Sequence, residues 1–403
     1  MARLEGFEPP TLSSGGMELE SNKCRVWHRL EGGAPFPLLL NCSENVPKNN
    51  ARTIGGNTTT NYSGPMRNGL ILLSIILVGI VLRFYGIQSV WFGFDENITL
   101  GLCQADWFTF HRIMWLREMN MVAYYATVRL WLTLHSEVNV LTYVRCLSAL
   151  FSVATIPLLY ALGKRLFNGN VGLLAAGLLS INAFHIKHAQ NARSYSMFVF
   201  LVTLATLLLV NNIKNANPRW TAYTCVWVLA VYTHVFAFLF LAAHLIAMIY
   251  IGLRPKMAQL ACLFGGIAPM ALWTASHHSG QPLDWVKPTT VRDVAGLFAM
   301  LVGNDGFFLL FIAIAAVLLP MFVSPAKWDG TKLLLVWALA PVTLAVLASL
   351  LQPCFAPRFL IPCLPATTLL IAASIERYKP LHAVVLLALI VFGMLMGTQP
   401  IGA

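Results

Sequence analysis

From residue 67 onward the chain alternates between long apolar runs and short polar stretches, and the runs set the architecture. About 20 apolar residues in a helix cross the hydrocarbon core of a bilayer. The run "GLILLSIILVGIVLRFYGI" at 69–87 is the first of that length. The pattern predicts eleven transmembrane helices, at 69–87, 140–162, 171–187, 195–212, 220–234, 235–252, 257–274, 307–323, 333–351, 359–375 and 381–398. The alternating ten-residue segments of a β-barrel are not seen. The apolar stretch 121–134 is too short to span and is interrupted by Arg129, so it is predicted to lie in the interface. The expected fold class is an all-α polytopic membrane protein, with an outer-face loop at 88–139 that contains interfacial helices.

Residues 1–66 have a different character. They are polar, rich in Gly, Asn, Ser and Thr, and without helical periodicity, which predicts a disordered tail. They also lack the apolar centre of a signal peptide. The segment "GFEPPT" at 6–11 can be encoded by codons resembling the T-arm of a transfer-RNA gene. The tail is therefore expected to come from translated upstream sequence, with Met66 as the start and 67–403 as the membrane domain.

Composition agrees with the runs. The 403 residues are 58% hydrophobic and only 11% charged, against about 25% charged in soluble domains. The net charge of +11 is spread through short loops and forms no single basic face, so a nucleic-acid partner is not expected. With the N-terminus inside, each short inner loop carries a basic pair: Lys164 and Arg165, Lys214 and Arg219, Arg254 and Lys256, Lys327 and Lys332, Arg377 and Lys379. That regularity follows the positive-inside rule. It places 88–139, 183–195, 232–234, 275–306 and 351–360 on the outer face, where they can converge on one chamber. The eight cysteines have neither metal-site spacing nor a readable disulfide framework.

The unusual polar residues fall in these outer stretches. "WFGFDENITL" at 91–100 places Asp95 and Glu96 just past the first span; a carboxylate in a partly dehydrated cleft can act as a general base, or it can simply face water. "WLREMNMVAYY" holds Glu118, which can bind a metal, orient a sugar hydroxyl, or pair with Arg117 in solvent. "HIKHAQNARSYS" gathers Gln190, Arg193 and Tyr195; a guanidinium there can grip a phosphate with two parallel hydrogen bonds or snorkel to the interface. His234 lies in the apolar segment "VYTHVFAFLF" as a functional or a satisfied structural group. Arg358, in the proline-rich "QPCFAPRFLIPCLPA", is a second phosphate candidate or an anchor. There is no phosphate-binding loop, dinucleotide fingerprint or zinc-protease motif, so no nucleotide cofactor is expected.

These motifs resemble the membrane glycosyltransferases of the GT-C fold, in the branch of protein O-mannosyltransferases and bacterial aminoarabinose transferases for lipid A. The resemblance rests on "FDEN", on the block from "VRCLSALFSV" through "HIKHAQNARSYS", and on "YTHVFAFLFLAAH", "LDWVKP" and "PCFAPRFLIPCLPA", and covers roughly 67–375. In place of the family's His-Pro-Pro-type motif this chain reads "REMNMVAYY", with Glu118 in the equivalent neighbourhood. The resemblance implies an inverting transfer of a sugar from a polyprenyl-phosphate donor to an acceptor hydroxyl on a glycan, lipid or protein. Asp95 would be the base, with Glu96 beside it, and Arg193 and Arg358 would steady the departing phosphate. It also implies a divalent metal on Glu118 and His234.

A lipid-linked sugar flippase or other transporter is the alternative, but the inverted repeats with broken helices expected of one are not visible. The sequon at Asn97–Thr99 adjoins the acid pair, where a glycan would obstruct it, which favours a bacterial inner membrane with the site facing outward.

Overall fold

The computed structural model describes residues 17–20, 23–28, 36–40, 63–134, 139–214, 218–250, 253, 257–276, 286–303, 313–314, 329–378 and 380–396. The chain divides into two units, Met1–Asn61 and Tyr62–Ala403. In the first, β1 (Met17–Glu20), β2 (Lys23–His28) and β3 (Phe36–Leu40) form an antiparallel meander in the order β1-β2-β3. The sequence reading assigned these residues to a disordered tail. The alternation of Lys23 and Arg25 with Cys24 and Val26 has the period of a strand, which a search for helical periodicity passes over.

Every described element of the second unit is helical. The first are α1 (Ser63–Phe84), α2 (Phe94–Gln104), α3 (Trp107–Ile113) and α4 (Val122–Leu132). Then come α5 (Val140–Leu166), α6 (Gly169–Ile181), α7 (Ala183–Ala189), α8 (Tyr195–Lys214), α9 (Trp220–Thr233), α10 (Ala237–Tyr250) and α11 (Met257–Ser276). The last are α12 (Val291–Val302), α13 (Asp329–Ser349), α14 (Leu364–Ile375) and α15 (Pro380–Met396). A helix is present at ten of the eleven predicted spans; 307–323 lies outside the described residues except for 313–314.

By length and apolarity six of the described helices can cross a membrane, or seven if the bent pair α6–α7 is one span. The count of eleven is therefore not matched. Helices α9 and α10, at 14 residues each, are the main reason. The predicted interfacial segment is α4, which follows the short α2 and α3.

Helix α5 packs against α8, α6 and α1. Its approach to α6 requires glycine: a Cβ on Gly163 would sit 2.8 Å from Gly172 Cα, the small-residue contact by which membrane helices pack closely. The break between α6 and α7, bent by 61°, has a chemical cause. Asn182 ends α6 and caps α7 by accepting from His185 N–H at 3.0 Å. Arg83 of α1 takes up the carbonyls released at the end of α6, donating to Leu179 at 3.2 Å and Ser180 at 2.9 Å. The bend turns the chain into residues 190–194, which belong to the site.

Candidate active site

Gly93 caps α2, and its N–H donates to the Glu96 carboxylate at 3.2 Å. Acids in a first turn also favour the helix dipole. Successive side chains on a helix point about 100° apart, as follows from 3.6 residues per turn, and Asp95 and Glu96 separate accordingly.

Glu96 turns into the protein. Arg145 of α5 grips it with Nε to Oε1 at 2.8 Å and Nη2 to Oε2 at 2.6 Å, both side chains being fully buried. Oε1 also accepts from Ala192 N–H at 2.7 Å. Arg145 donates further to the carbonyls of Ile87 and Val90, each at 3.0 Å, and of Trp91 at 3.2 Å. This is a saturated buried pair, the form in which charge is tolerated away from water.

Glu96 thereby holds the 190–194 turn from behind. The turn is closed by Arg193 N–H donating to Asn191 O at 2.8 Å. Ser148 of α5 donates to Arg193 O at 3.3 Å. Gln190 donates to the end of α1, at Arg83 O (3.2 Å) and Tyr85 O (2.9 Å).

Asp95 turns the other way, into a cavity of about 800 Å³, a volume in the range of small-molecule sites. Its walls come from sequence-distant stretches: Asp95 and Ile98; Arg117, Glu118 and Asn120; Asn191, Arg193 and Tyr195; His234 to Phe236; Trp273 and Thr274; and Gln352 with Arg358 and Phe359. Four of the five stretches expected on the outer face contribute, and they meet at one end of the helices. The fifth, 275–306, begins next to Thr274, and 277–285 lies outside the described residues.

Arg193 bridges to α2 through Nη1, which donates to Asp95 O at 3.1 Å and reaches Thr99 Oγ1 at 3.4 Å; its Nε is buried with no partner among the described residues. Its positive charge is held firmly. Burial disfavours it, but Tyr125, Tyr195, Asp95 and Glu118 outweigh that and push the guanidinium above its ordinary value. Arg358, from the 3₁₀ turn Pro357–Cys363, brings Nη1 to 3.6 Å from Asp95 Oδ2. Glu118 ends a π-helical turn, Met114–Glu118, whose extra residue per turn re-aims the side chain into the cavity.

Of the sequence candidates, Asp95, Arg193, Arg358, Tyr195, Glu118 and His234 line the cavity. Glu96 and Gln190 do not. Glu96 is occupied by Arg145 and Ala192, and Gln190 by backbone carbonyls. His234 sits flat against Phe198, with centroids 5.1 Å apart, and its Nδ1 accepts from Phe236 N–H at 3.2 Å. Among the described residues no three His, Cys, Asp or Glu side chains come close enough to hold a metal ion. Glu118 and His234 both line the cavity but form no such group with a third ligand among the described residues.

Arg145 and Asn120 are residues of the site that the sequence pattern does not single out. Arg145 carried a signal: an arginine inside the apolar run "TYVRCLSALFSV" needs a buried partner, and Glu96 was an acid without an assigned one.

The Glu118 environment has a pH consequence. Burial raises its carboxyl above the ordinary value of 4.5, with Arg193 and a Tyr125 hydrogen bond opposing and Asp95 adding to the rise. Between 4.5 and that raised value the folded chain keeps a proton that the unfolded chain has released. Stability must therefore fall as pH rises through that window. Thermal unfolding midpoints across this range should show the slope in the wild type and lose it in Glu118→Gln.

A family model for dolichyl-phosphate-mannose-protein mannosyltransferase matches residues 121–276. ArnT from Cupriavidus metallidurans bound to undecaprenyl phosphate superposes with a TM-score of 0.54 at 12% identity, covering 81% of this chain and 63% of that one. The Archaeoglobus fulgidus oligosaccharyltransferase in its apo form gives 0.54 at 14%, covering 84% and 56%. Its complex with an inhibitory peptide and a dolichol-phosphate gives 0.53 at 12%, covering 84% and 55%. The chain thus spans roughly three-fifths of the length of these structures. No curated protein matches it. The chain is an integral membrane protein with the GT-C fold.

Proposed function

We propose that this chain is an inverting glycosyltransferase that moves a sugar from a polyprenyl-phosphate donor to an acceptor hydroxyl. The observation that carries the reading is one cavity lined by a carboxylate, Asp95, and two guanidinium groups, Arg358 facing that carboxylate and Arg193 bonded to the Asp95 backbone. The donor's lipid lies in the bilayer and its head enters the cavity. The acceptor oxygen attacks the anomeric carbon from the face opposite the phosphate, and Asp95 accepts its proton. The bond between the anomeric carbon and the phosphate oxygen breaks, and polyprenyl phosphate leaves with the electron pair. Fixed cations stabilise charge as it develops on the departing oxygen. A guanidinium has five donors, so Arg358 can face Asp95 and the phosphate together.

Glu96 is a positioning residue in this scheme. It anchors the turn that carries Arg193 to the helix that carries Asp95. The acceptor is a hydroxyl of a glycan, lipid or protein, and no nucleotide takes part. The regular basic pairs on the other side of the membrane support a bacterial inner membrane with the cavity facing outward.

Purified protein given a polyprenyl-phosphate sugar in vesicles should release polyprenyl phosphate in step with acceptor glycosylation. Movement of the intact lipid-linked sugar between leaflets, with no polyprenyl phosphate released, would establish the flippase instead.

A further inference from the structure

Arg83 of α1 touches the short helix α7 at both ends. Near the start of α7, Arg83 Nη2 donates to His185 Nδ1 at 3.0 Å. Just past its end, Gln190 Nε2 donates back to Arg83 O at 3.2 Å and to Tyr85 O at 2.9 Å. Gln190 opens the turn that presents Arg193. One residue of α1 thus clasps the helix that leads the chain into the site.

Hydrogen bonding makes the clasp rigid. Arg83 and His185 are fully buried. A guanidinium has five N–H donors, and each one has a partner here. Nε donates to Ser152 Oγ at 2.7 Å, and Nη1 to Gly79 O at 3.0 Å and Ser180 O at 2.9 Å. Nη2 donates to Leu179 O at 3.2 Å as well as to His185. Because a guanidinium only donates, His185 Nδ1 is the unprotonated ring nitrogen and the imidazole is neutral. All the partners are therefore uncharged. A buried charge without an opposite charge is costly, and here the carbonyls at the end of α6, the negative end of its dipole, offset it. Asn182 already caps the break between α6 and α7 without any charge. What the cation adds is a fixed angle, because one planar group joins α1, α5, the end of α6 and the start of α7. Helix α5 carries the same constraint onward. Its Ser152 meets Arg83, and Ser148, about one turn earlier, donates to Arg193 O at 3.3 Å.

We infer that Arg83, His185 and Gln190 are positioning residues that set the aim of Arg193 at the donor phosphate. None of the three lines the cavity, so they act through the turn and not on the substrate. The inference rests on the transferase reading and adds a support to it. A misplacement of about 1 Å in a group that holds a reacting centre can cost about 10²-fold in rate.

The test compares four variants of the full chain in nanodiscs. His185→Leu removes the tie to α7 and leaves the other donations of Arg83, so α6 stays capped. His185→Asn restores an acceptor near the place of Nδ1. Gln190→Leu opens the other end of the clasp at a half-buried position, where folding is not at stake. Gly163→Ala is the comparison. It crowds α5 against α6 at the end of α5 far from Arg145, and should lower the thermal midpoint without disturbing the turn. The readouts are the thermal midpoint, the affinity for bare polyprenyl phosphate by tryptophan fluorescence, and kcat, the last two measured well below each midpoint.

His185→Leu and Gln190→Leu should bind bare polyprenyl phosphate about tenfold more weakly and turn over about 10–10²-fold more slowly. His185→Asn should recover most of the loss, and Gly163→Ala should keep wild-type affinity and kcat. Wild-type affinity and kcat in folded His185→Leu or in Gln190→Leu overturn the inference, whatever the midpoint. So does an equal loss in His185→Asn, or a matching loss in Gly163→Ala, since either would make destabilisation alone sufficient. If wild type binds and releases polyprenyl phosphate and the variants match it, this inference fails alone. If wild type does neither, the transferase reading fails and this inference with it.

Discussion

Asp95→Asn is expected to lower transfer by about 10²–10⁴-fold, the range for removing a general base, while the chain still inserts and stays monodisperse in detergent. The geometry separates these two outcomes. The Asp95 carboxylate is about one-third exposed, and its only side-chain ion pair among the described residues is with Arg358 at 3.6 Å. A pair of that kind contributes about 0–1 kcal/mol, so little stability rides on it. The link between Asp95 and Arg193 runs through the Asp95 backbone carbonyl, which asparagine preserves along with the side-chain volume. The substitution removes the proton acceptor and leaves the walls of the cavity in place. The loss should appear in kcat, with donor KM near wild type, because an interaction made only in the transition state affects both kcat and kcat/KM. Wild-type turnover by Asp95→Asn would mean that this acid merely faces water and that the base lies elsewhere.

What the sequence disclosed and what it concealed divide along physical lines. Apolar runs report burial in lipid directly, so ten of the eleven predicted spans coincide with helices. The regular basic pairs grouped five polar stretches on one face, and four of them line one cavity. Adjacency in sequence misled at Asp95 and Glu96. Paired acids suggest a shared task, yet neighbours on a helix point in different directions, and Glu96 faces Arg145. Gln190 misled in the same way, because its sequence neighbours face the cavity while its amide closes the carbonyls at the end of α1. The π turn at Met114–Glu118 and the bend at Asn182 depend on local hydrogen bonding that no hydropathy pattern encodes. Asn120 is a short polar residue of a kind found in every loop, and only the cavity singles it out.

Arg145→Met should destabilise the folded chain by about 3–5 kcal/mol, the cost of stranding one member of a buried ion pair. Glu96 would keep the N–H groups of Ala192 and Gly93 but lose both strong donors. The carbonyls of Ile87, Val90 and Trp91 would lose theirs as well, and these lie in the segment joining α1 to α2. Glu96→Gln should cost less, because Arg145 keeps those three carbonyls and an amide oxygen can still accept one of its bonds. Thermal unfolding in detergent measures both. The double variant Glu96→Leu, Arg145→Met carries no buried charge, and replacing such a pair by apolar groups is often neutral, so it should recover much of the stability lost in Arg145→Met. It should not recover transfer. Without Glu96 the Ala192 N–H is released, and the turn that presents Arg193 is no longer tied to α2 from behind. Stability and activity would then part company, which a purely structural role for the pair does not predict. If the double variant regained both, the pair would matter for folding alone, and Arg193 would be held well enough by Asp95, Thr99 and Tyr125.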